Sequence, residues 1–229
     1  MSRIQQGIIT EEVFKFLNKL EKNNTREWFN DHKNDYKKQE TTIKNFLGLL
    51  KDKLKVHDDI EKLKQFRIYR DVRFSKDKTP YKVHFAGSFS RAGLRLRGGY
   101  YIRIKPGGSF IAAGFWEPNK ADMLRIRKEF ELDASEIREI INDPDFRAIW
   151  GEMQGDTLKT APMGFSKDHP DIDLIKRKQF IFLRNFSDKE VLADDFMDVL
   201  DRSFQKIRPY FNYMSEILTT DLNGEPLYD

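Results

Sequence analysis

The hydrophobic spacing of this chain changes period twice. Up to Leu54 the apolar residues recur at three and four, as on one face of a helix; from Phe66 they alternate one in two, as on a strand; from Pro118 the helical spacing returns. Helices, then strands, then helices predict an α+β class. The expectation is one domain over residues 1–229, with a mainly antiparallel sheet of about five strands and helices packed on one face. A helical segment is expected at about 10–55, the sheet core at about 66–116 with a further strand at 179–186, and a last helix at about 188–220.

Thr10 before EEVFKFLNKL reads as an N-cap with acids in the first turn, and Val13, Phe14, Leu17 and Leu20 form its apolar stripe. Thr25 caps a second, longer helix carrying Trp28, Phe29, Tyr36, Ile43, Phe46, Leu47, Leu50 and Leu54, broken around Gly48. Phe66, Ile68, Val72 and Phe74 then alternate with Arg67, Tyr69, Asp71 and Arg73. SKDKTP makes a turn, and Tyr81, Val83, Phe85 and Phe89 alternate with Lys82, His84 and Ser88 as the strand returns. Gly98-Gly99 leads into Tyr100, Ile102 and Ile104, and Pro106-Gly107-Gly108 turns into SFIAAGFW. Pro118 suits the first turn of a helix through Leu124, Ile126 and Phe130; Asp133 or Ser135 and Asp143-Pro144 open two more, and a brief helix is expected at 171–178. QFIFLRNF, at 179–186, reads as a central strand, and Ser187-x-x-Glu190 is a capping box for a long helix interrupted at Pro209.

A chain of 229 residues with 19 Phe, 8 Tyr and 3 Trp can bury enough apolar surface to offset the entropy of ordering, so it is a folded protein. No run approaches the roughly 18 apolar residues that cross a bilayer, and the start lacks the order of a signal peptide. With no Cys, disulfides and thiolate metal sites are excluded. The expected location is cytoplasmic, without a membrane partner. There is no His-x-x-x-His and no calcium loop, so no metal is expected. A P-loop, a dinucleotide glycine fingerprint and a nucleophile elbow are also missing, so no cofactor is expected.

The net charge of +4 hides a local excess: Lys62 to Lys105 holds thirteen Lys and Arg against Asp71 and Asp77, a net +11, which leaves −7 for the remainder. On strand spacing Arg67, Tyr69, Asp71 and Arg73 share a face with Lys82 and His84, and with Tyr101 and Arg103. Like charges about 6 Å apart repel by roughly 3 kcal/mol at an effective dielectric of about 20, and an anion relieves that repulsion. A guanidinium grips phosphate or carboxylate with two parallel hydrogen bonds. Arg67, Arg70, Asp71, Arg73, Lys78, Tyr81 and Lys82 are therefore the candidate ligand-binding residues, with donors from Ser75, Thr79 and the turn backbone forming a nest. Asp71 orients Arg67 and Arg73. Arg70 falls on the apolar face, so it needs either a bulge or a carboxylate from a helix beneath the sheet. His84, among cations, is expected neutral, and His169 is the other candidate general acid or base. Against these stand plain readings: solvated lysines blunting a sheet edge, and His169 as a cap before a helix.

The run Arg67-x-x-Arg70-Asp71-x-Arg73-Phe74 followed by Asp77-Lys78 and Tyr81-Lys82 resembles the signature of an uncharacterised, mostly bacterial conserved family, a domain of unknown function whose members are about as long as this chain. NNTREWF at 23–29, GGYYIRI at 98–104, GFWEP at 114–118, LKTAPMGF at 158–165 and DHPDIDLIKRK at 168–178 look similar too. The resemblance covers nearly the whole chain and implies a single domain. It brings no activity, substrate, cofactor or catalytic residue.

Two readings follow. The first is a pocket for a small phosphorylated or carboxylated ligand on the arginine hairpin, closed by the 158–171 loop, whether or not a reaction follows. The second is single-stranded nucleic-acid binding, with Arg67, Arg73, Lys82 and Arg103 on phosphates and Tyr69 and Tyr101 stacking on bases. A protein-interaction module is a third, and the sequence is silent on oligomeric state.

Overall fold

The computed structural model describes residues 7–221 and 224–227. Helix α1 spans Glu11–Lys22 and buries Val13, Phe14, Phe16, Leu17 and Leu20, the expected stripe with Phe16 added. The long second helix is instead two, α2 at Arg26–Asp31 and α3 at Lys33–Leu54, and the break falls at His32 rather than Gly48. The imidazole of His32 stacks on Trp28 with ring centroids 4.0 Å apart, and its Nδ1 donates to the Trp28 carbonyl at 2.8 Å. That side-chain bond competes for a helical acceptor. Gly48 costs about 1 kcal/mol relative to Ala in a helix, less than the burial of Phe46, Leu47 and Leu50 around it returns.

Five strands, β1 Ile60–Gln65, β2 Phe85–Arg91, β3 Gly99–Ile104, β4 Ser109–Phe115 and β5 Phe180–Phe186, form an antiparallel sheet in the order β1-β2-β3-β4-β5. The α+β class is the expected one, but the first strand is displaced. β1 lies in IEKLKQ, whose charged residues hide its alternation, as suits an edge strand. Residues 66–84, expected as two strands, carry one isolated bridge. β3 alternates as expected: Tyr100, Ile102 and Ile104 are buried, and Tyr101 and Arg103 lie half-buried on the opposite face. β5 ends the strand order instead of occupying its centre. Its apolar run has a different cause: Phe180 packs against Phe130 and Phe182 against Phe146 and Tyr210, while Gln154 N donates to Ile181 O at 2.7 Å.

The remaining helices are α4 Lys120–Leu132, α5 Ser135–Asn142, α6 Pro144–Trp150, α7 Ile172–Ile175, α8 Asp188–Val191, α9 Phe196–Lys206 and α10 Arg208–Thr219. Asn119 rather than Pro118 begins α4, its side chain accepting from Asp122 N at 2.9 Å, and Leu124 is exposed. Ser187 and Glu190 form the expected capping box, but the C-terminal helix is three helices, with Pro209 accommodated in the first turn of α10. No helix among the described residues is long and apolar enough to cross a membrane.

The chain divides into two compact units: one comprises residues up to Phe89 with Tyr101–Ile111 and Asn185–Arg202; the other comprises Ser90–Tyr100, Ala112–Arg184 and residues from Ser203. In the first, Phe196 packs against Phe46 and Phe186, and Leu47 lies so close under Gly87 that a Cβ there would be 2.8 Å from Leu47 Cδ1. In the second, Tyr100 meets Phe204 and Phe211 edge-on, Trp150 Nε1 donates to Ser203 O at 3.1 Å, and Tyr210 Oη donates to Phe180 O at 2.8 Å.

Candidate functional site

The ribbon from Phe66 to His84 starts from a register defect. Tyr69 and Tyr81 form an antiparallel bridge, flanked by Arg70 N donating to Pro80 O at 2.9 Å and Lys82 N to Ile68 O at 2.8 Å. Phe66 N donates to Ala86 O at 2.9 Å. Residues 67 and 68 separate Phe66 from Tyr69, whereas residues 82–85 separate Tyr81 from Ala86, so the returning limb carries two extra residues. The excess is taken up as a bend at Val83 and His84. The bulge considered at Arg70 is thus on the opposite limb.

The bridge also overturns the expected shared face. Tyr69 opposes Tyr81 directly, and a one-residue change in pairing moves every side chain to the other face. Tyr81, buried, stacks on Phe29 with centroids 3.9 Å apart, and Tyr69 packs edge-on to the same ring. Asn24 holds this arrangement from the α1–α2 junction: its Nδ2 donates to Tyr81 O at 3.0 Å and its Oδ1 accepts from Tyr81 N at 3.1 Å. Phe74, expected in the core, is 97% exposed; among the described residues the ribbon forms no ladder beyond the Tyr69–Tyr81 bridge.

Arg70 finds its carboxylate in the turn, not in a helix. Its guanidinium pairs with Asp77, donates to Thr79 Oγ1 and reaches Ser75 Oγ at 3.4 Å. Asp77 Oδ1 in turn accepts from Thr79 N at 2.9 Å, an Asx turn. The expected anion nest is therefore filled by the protein's own carboxylate. The Arg70 guanidinium, with the Thr79 amide and hydroxyl behind it, holds the Asp77 carboxyl down at about 2.

A cleft of about 440 Å³ opens beside this turn, lined by Glu21, Asn24, Arg70, Asp77, Thr79, Tyr81, Lys82, Val83 and His84. Of the predicted residues it gathers Arg70, Thr79, Tyr81, Lys82 and His84. Lys82 has no carboxylate partner among the described residues; its ammonium lies 5.7 Å from the Phe66 ring centroid. Its pKa is lowered, first by burial and then by Arg67, Arg70 and Lys64. His84 is neutral, as expected, but mainly for a reason the sequence did not provide: burial, with Arg103, Lys82 and Lys105 adding to it, lowers it to about 4. Glu21 spends its carboxylate on Lys105 at 3.4 Å.

The other predicted residues lie outside the cleft lining. Arg73 is 77% exposed and forks onto Asp71, Nε to Oδ1 at 3.0 Å and Nη2 to Oδ2 at 2.7 Å. That pairing is the expected orienting role of Asp71 for Arg73; toward Arg67 the carboxylate acts through space only, and both Arg73 and Arg67 lower the Asp71 pKa. Lys78 Nζ donates to Val72 O at 2.9 Å, closing the tip. Tyr101 belongs to a ring cluster with Phe66 and Phe110, separate from that of Tyr69. His169 lies in the second unit with both ring nitrogens engaged: Nε2 donates to Glu131 O at 3.1 Å and Nδ1 accepts from Asp171 N at 3.1 Å, which closes a turn before α7. Among the described residues no group of three or more acids and histidines is placed to hold a metal ion.

Sequence reasoning missed Asn24 and Glu21, which lie in a helical segment read only for its apolar stripe. Asp77-x-Thr79, by contrast, carries a readable Asx-turn signal. No curated protein and no solved structure matches the chain. A family model described as a conserved hypothetical protein, DUF2461, matches residues 12–213 and with them the whole ribbon and cleft, so the chain belongs to that family.

Proposed function

We propose that the cleft binds a small phosphorylated or carboxylated ligand, with Lys82 and Arg70 as its cationic contacts and Thr79 and Asn24 at its rim. One observation carries this reading: an ammonium without a carboxylate among the described residues lines a cleft of ligand size and is destabilised by burial and then by three further cations. An anion beside Lys82 offsets that destabilisation, and charge-assisted bonds of this kind contribute about 1.5–3 kcal/mol each. Asp77 acts as an internal competitor for Arg70, which favours ligands with more than one anionic oxygen. His84, neutral at ordinary pH and on the same lining, is the group that can accept a proton from a bound ligand, and it is the residue a reaction would use.

The test is thermal denaturation with inorganic phosphate, sugar phosphates, nucleotides and dicarboxylates. Stabilisation by one of these that Lys82→Met removes, while Lys76→Met leaves it intact, supports the reading. If no small anion shifts the midpoint at moderate ionic strength, the reading fails.

A further inference from the structure

The face of the sheet opposite the core carries a second feature, which has Lys82 in common with the cleft. Alternation on β3 sends Tyr101 and Arg103 to this face, two positions and about 7 Å apart along the strand. The Tyr101 ring lies between two others, 6.0 Å from Phe66 at the end of β1 and 5.6 Å from Phe110 on β4. All three rings are half-buried, so the sheet supports each of them while part of each remains open to solvent. Cations stand at both ends of the row: Lys64 Nζ is 5.2 Å and Lys82 Nζ 5.7 Å from the Phe66 centroid, and the Arg103 guanidinium is 4.3 Å from that of Phe110. Neither Lys64 nor Lys82 makes an ion pair among the described residues, and Arg103 donates its Nε and Nη2 to the Gly108 carbonyl, so its charge is not neutralised either.

We propose that this face binds single-stranded nucleic acid, with bases stacked on the Tyr101 row and phosphates held by Lys64, Lys82 and Arg103. A row of rings bracketed by uncompensated cations matches a polyanion whose repeating unit is a flat base. An acidic peptide would satisfy the cations but leave the rings unused. A duplex, whose bases are already stacked, cannot reach the rings, so the face selects single strands. The platform uses Phe66 and Phe110 in place of Tyr69, which the Tyr81 bridge holds against Phe29.

The experiment is fluorescence anisotropy of a labelled oligouridylate and oligothymidylate, each with its duplex as control. Three phosphate contacts predict a log–log salt slope of about −2 for a single strand. Tyr101→Ala should weaken binding by about tenfold or more, and Tyr101→Phe, which keeps the ring, should not. Lys64→Glu should flatten the salt slope. Tyr101 does not line the cleft and carries no charge, so the small-anion stabilisation should persist in Tyr101→Ala, and a failure here stays separable from a failure there. A duplex that binds as tightly as the single strand overturns the proposal. So does an affinity unchanged by Tyr101→Ala in a variant whose denaturation midpoint matches the parent, or no binding at low salt.

Discussion

Replacing His84 by Gln should flatten the dependence of stability on pH between about 6.5 and about 4. The imidazole is half-buried, and Arg103, Lys82 and Lys105 lie around it, so its pKa falls from 6.5 to about 4. In that window the unfolded chain takes up a proton on His84 and the folded chain does not. Stability is therefore full above about pH 6.5, falls as the pH drops, and stops falling on this account below about pH 4, where both states are protonated. At 1.36 kcal/mol per unit the shift sets a ceiling of about 3 kcal/mol, and solvent screening of a half-buried ring reduces it to about 1–2 kcal/mol. Urea denaturation of parent and His84→Gln across this range measures it, and the difference between the two curves cancels every other titrating group. A difference that stays constant within about 0.5 kcal/mol would refute the burial of the ring beside these cations. Phosphate at saturating concentration should shrink the difference, because an anion in the cleft favours the imidazolium.

Four further outcomes are expected. Asn24→Ala leaves both the N–H and the carbonyl of Tyr81 without partners and should lower stability by about 1–3 kcal/mol in chemical denaturation. Gly114→Ala places a Cβ 2.2 Å from Phe180 O and 2.8 Å from Ile181 Cα at a φ of +134°, both of them backbone atoms that cannot yield, so it should cost about 4 kcal/mol or more, or prevent folding, as circular dichroism would show. Tyr210→Phe removes a buried bond to Phe180 O and should cost about 1–2 kcal/mol in the same assay. Phe74→Ser should change stability by less than about 0.5 kcal/mol, since the ring touches almost nothing; a loss above about 2 kcal/mol would mean that the side chain is buried in solution.

The class of fold was legible because the two hydrophobic periods are long and clean: the α1 stripe, the Tyr100–Ile104 alternation and the Ser187–Glu190 box all sit where their spacing puts them. What was not legible has three physical causes. β1 is an edge strand whose exposed charges carry no alternation, so the reading began the strand at Phe66, six residues late. The pairing of the ribbon depends on which residues oppose each other across the turn, and alternation alone cannot count the two extra residues at Val83 and His84. The partners that decide the chemistry, Asn24 for Tyr81 and Asp77 for Arg70, are polar side chains whose roles depend on tertiary placement or on a turn whose carboxylate was assigned no function. The charge asymmetry pointed to this ribbon. Which cations stay available was a matter of pairing: Asp71 and Asp77 neutralise Arg73 and Arg70, and Lys82 is left over.

The excess of two residues on the returning limb has a consequence for how this segment tolerates length changes. Side chains on extended backbone point alternately up and down, so an even insertion or deletion at Val83–His84 keeps Tyr81 directed at Phe29, whereas an odd one turns it outward and directs Lys82 into the aromatic cluster. Removing both residues would give an ordinary hairpin that still folds but no longer has an imidazole in the cleft. Natural or engineered length variation at this point is accordingly expected in steps of two.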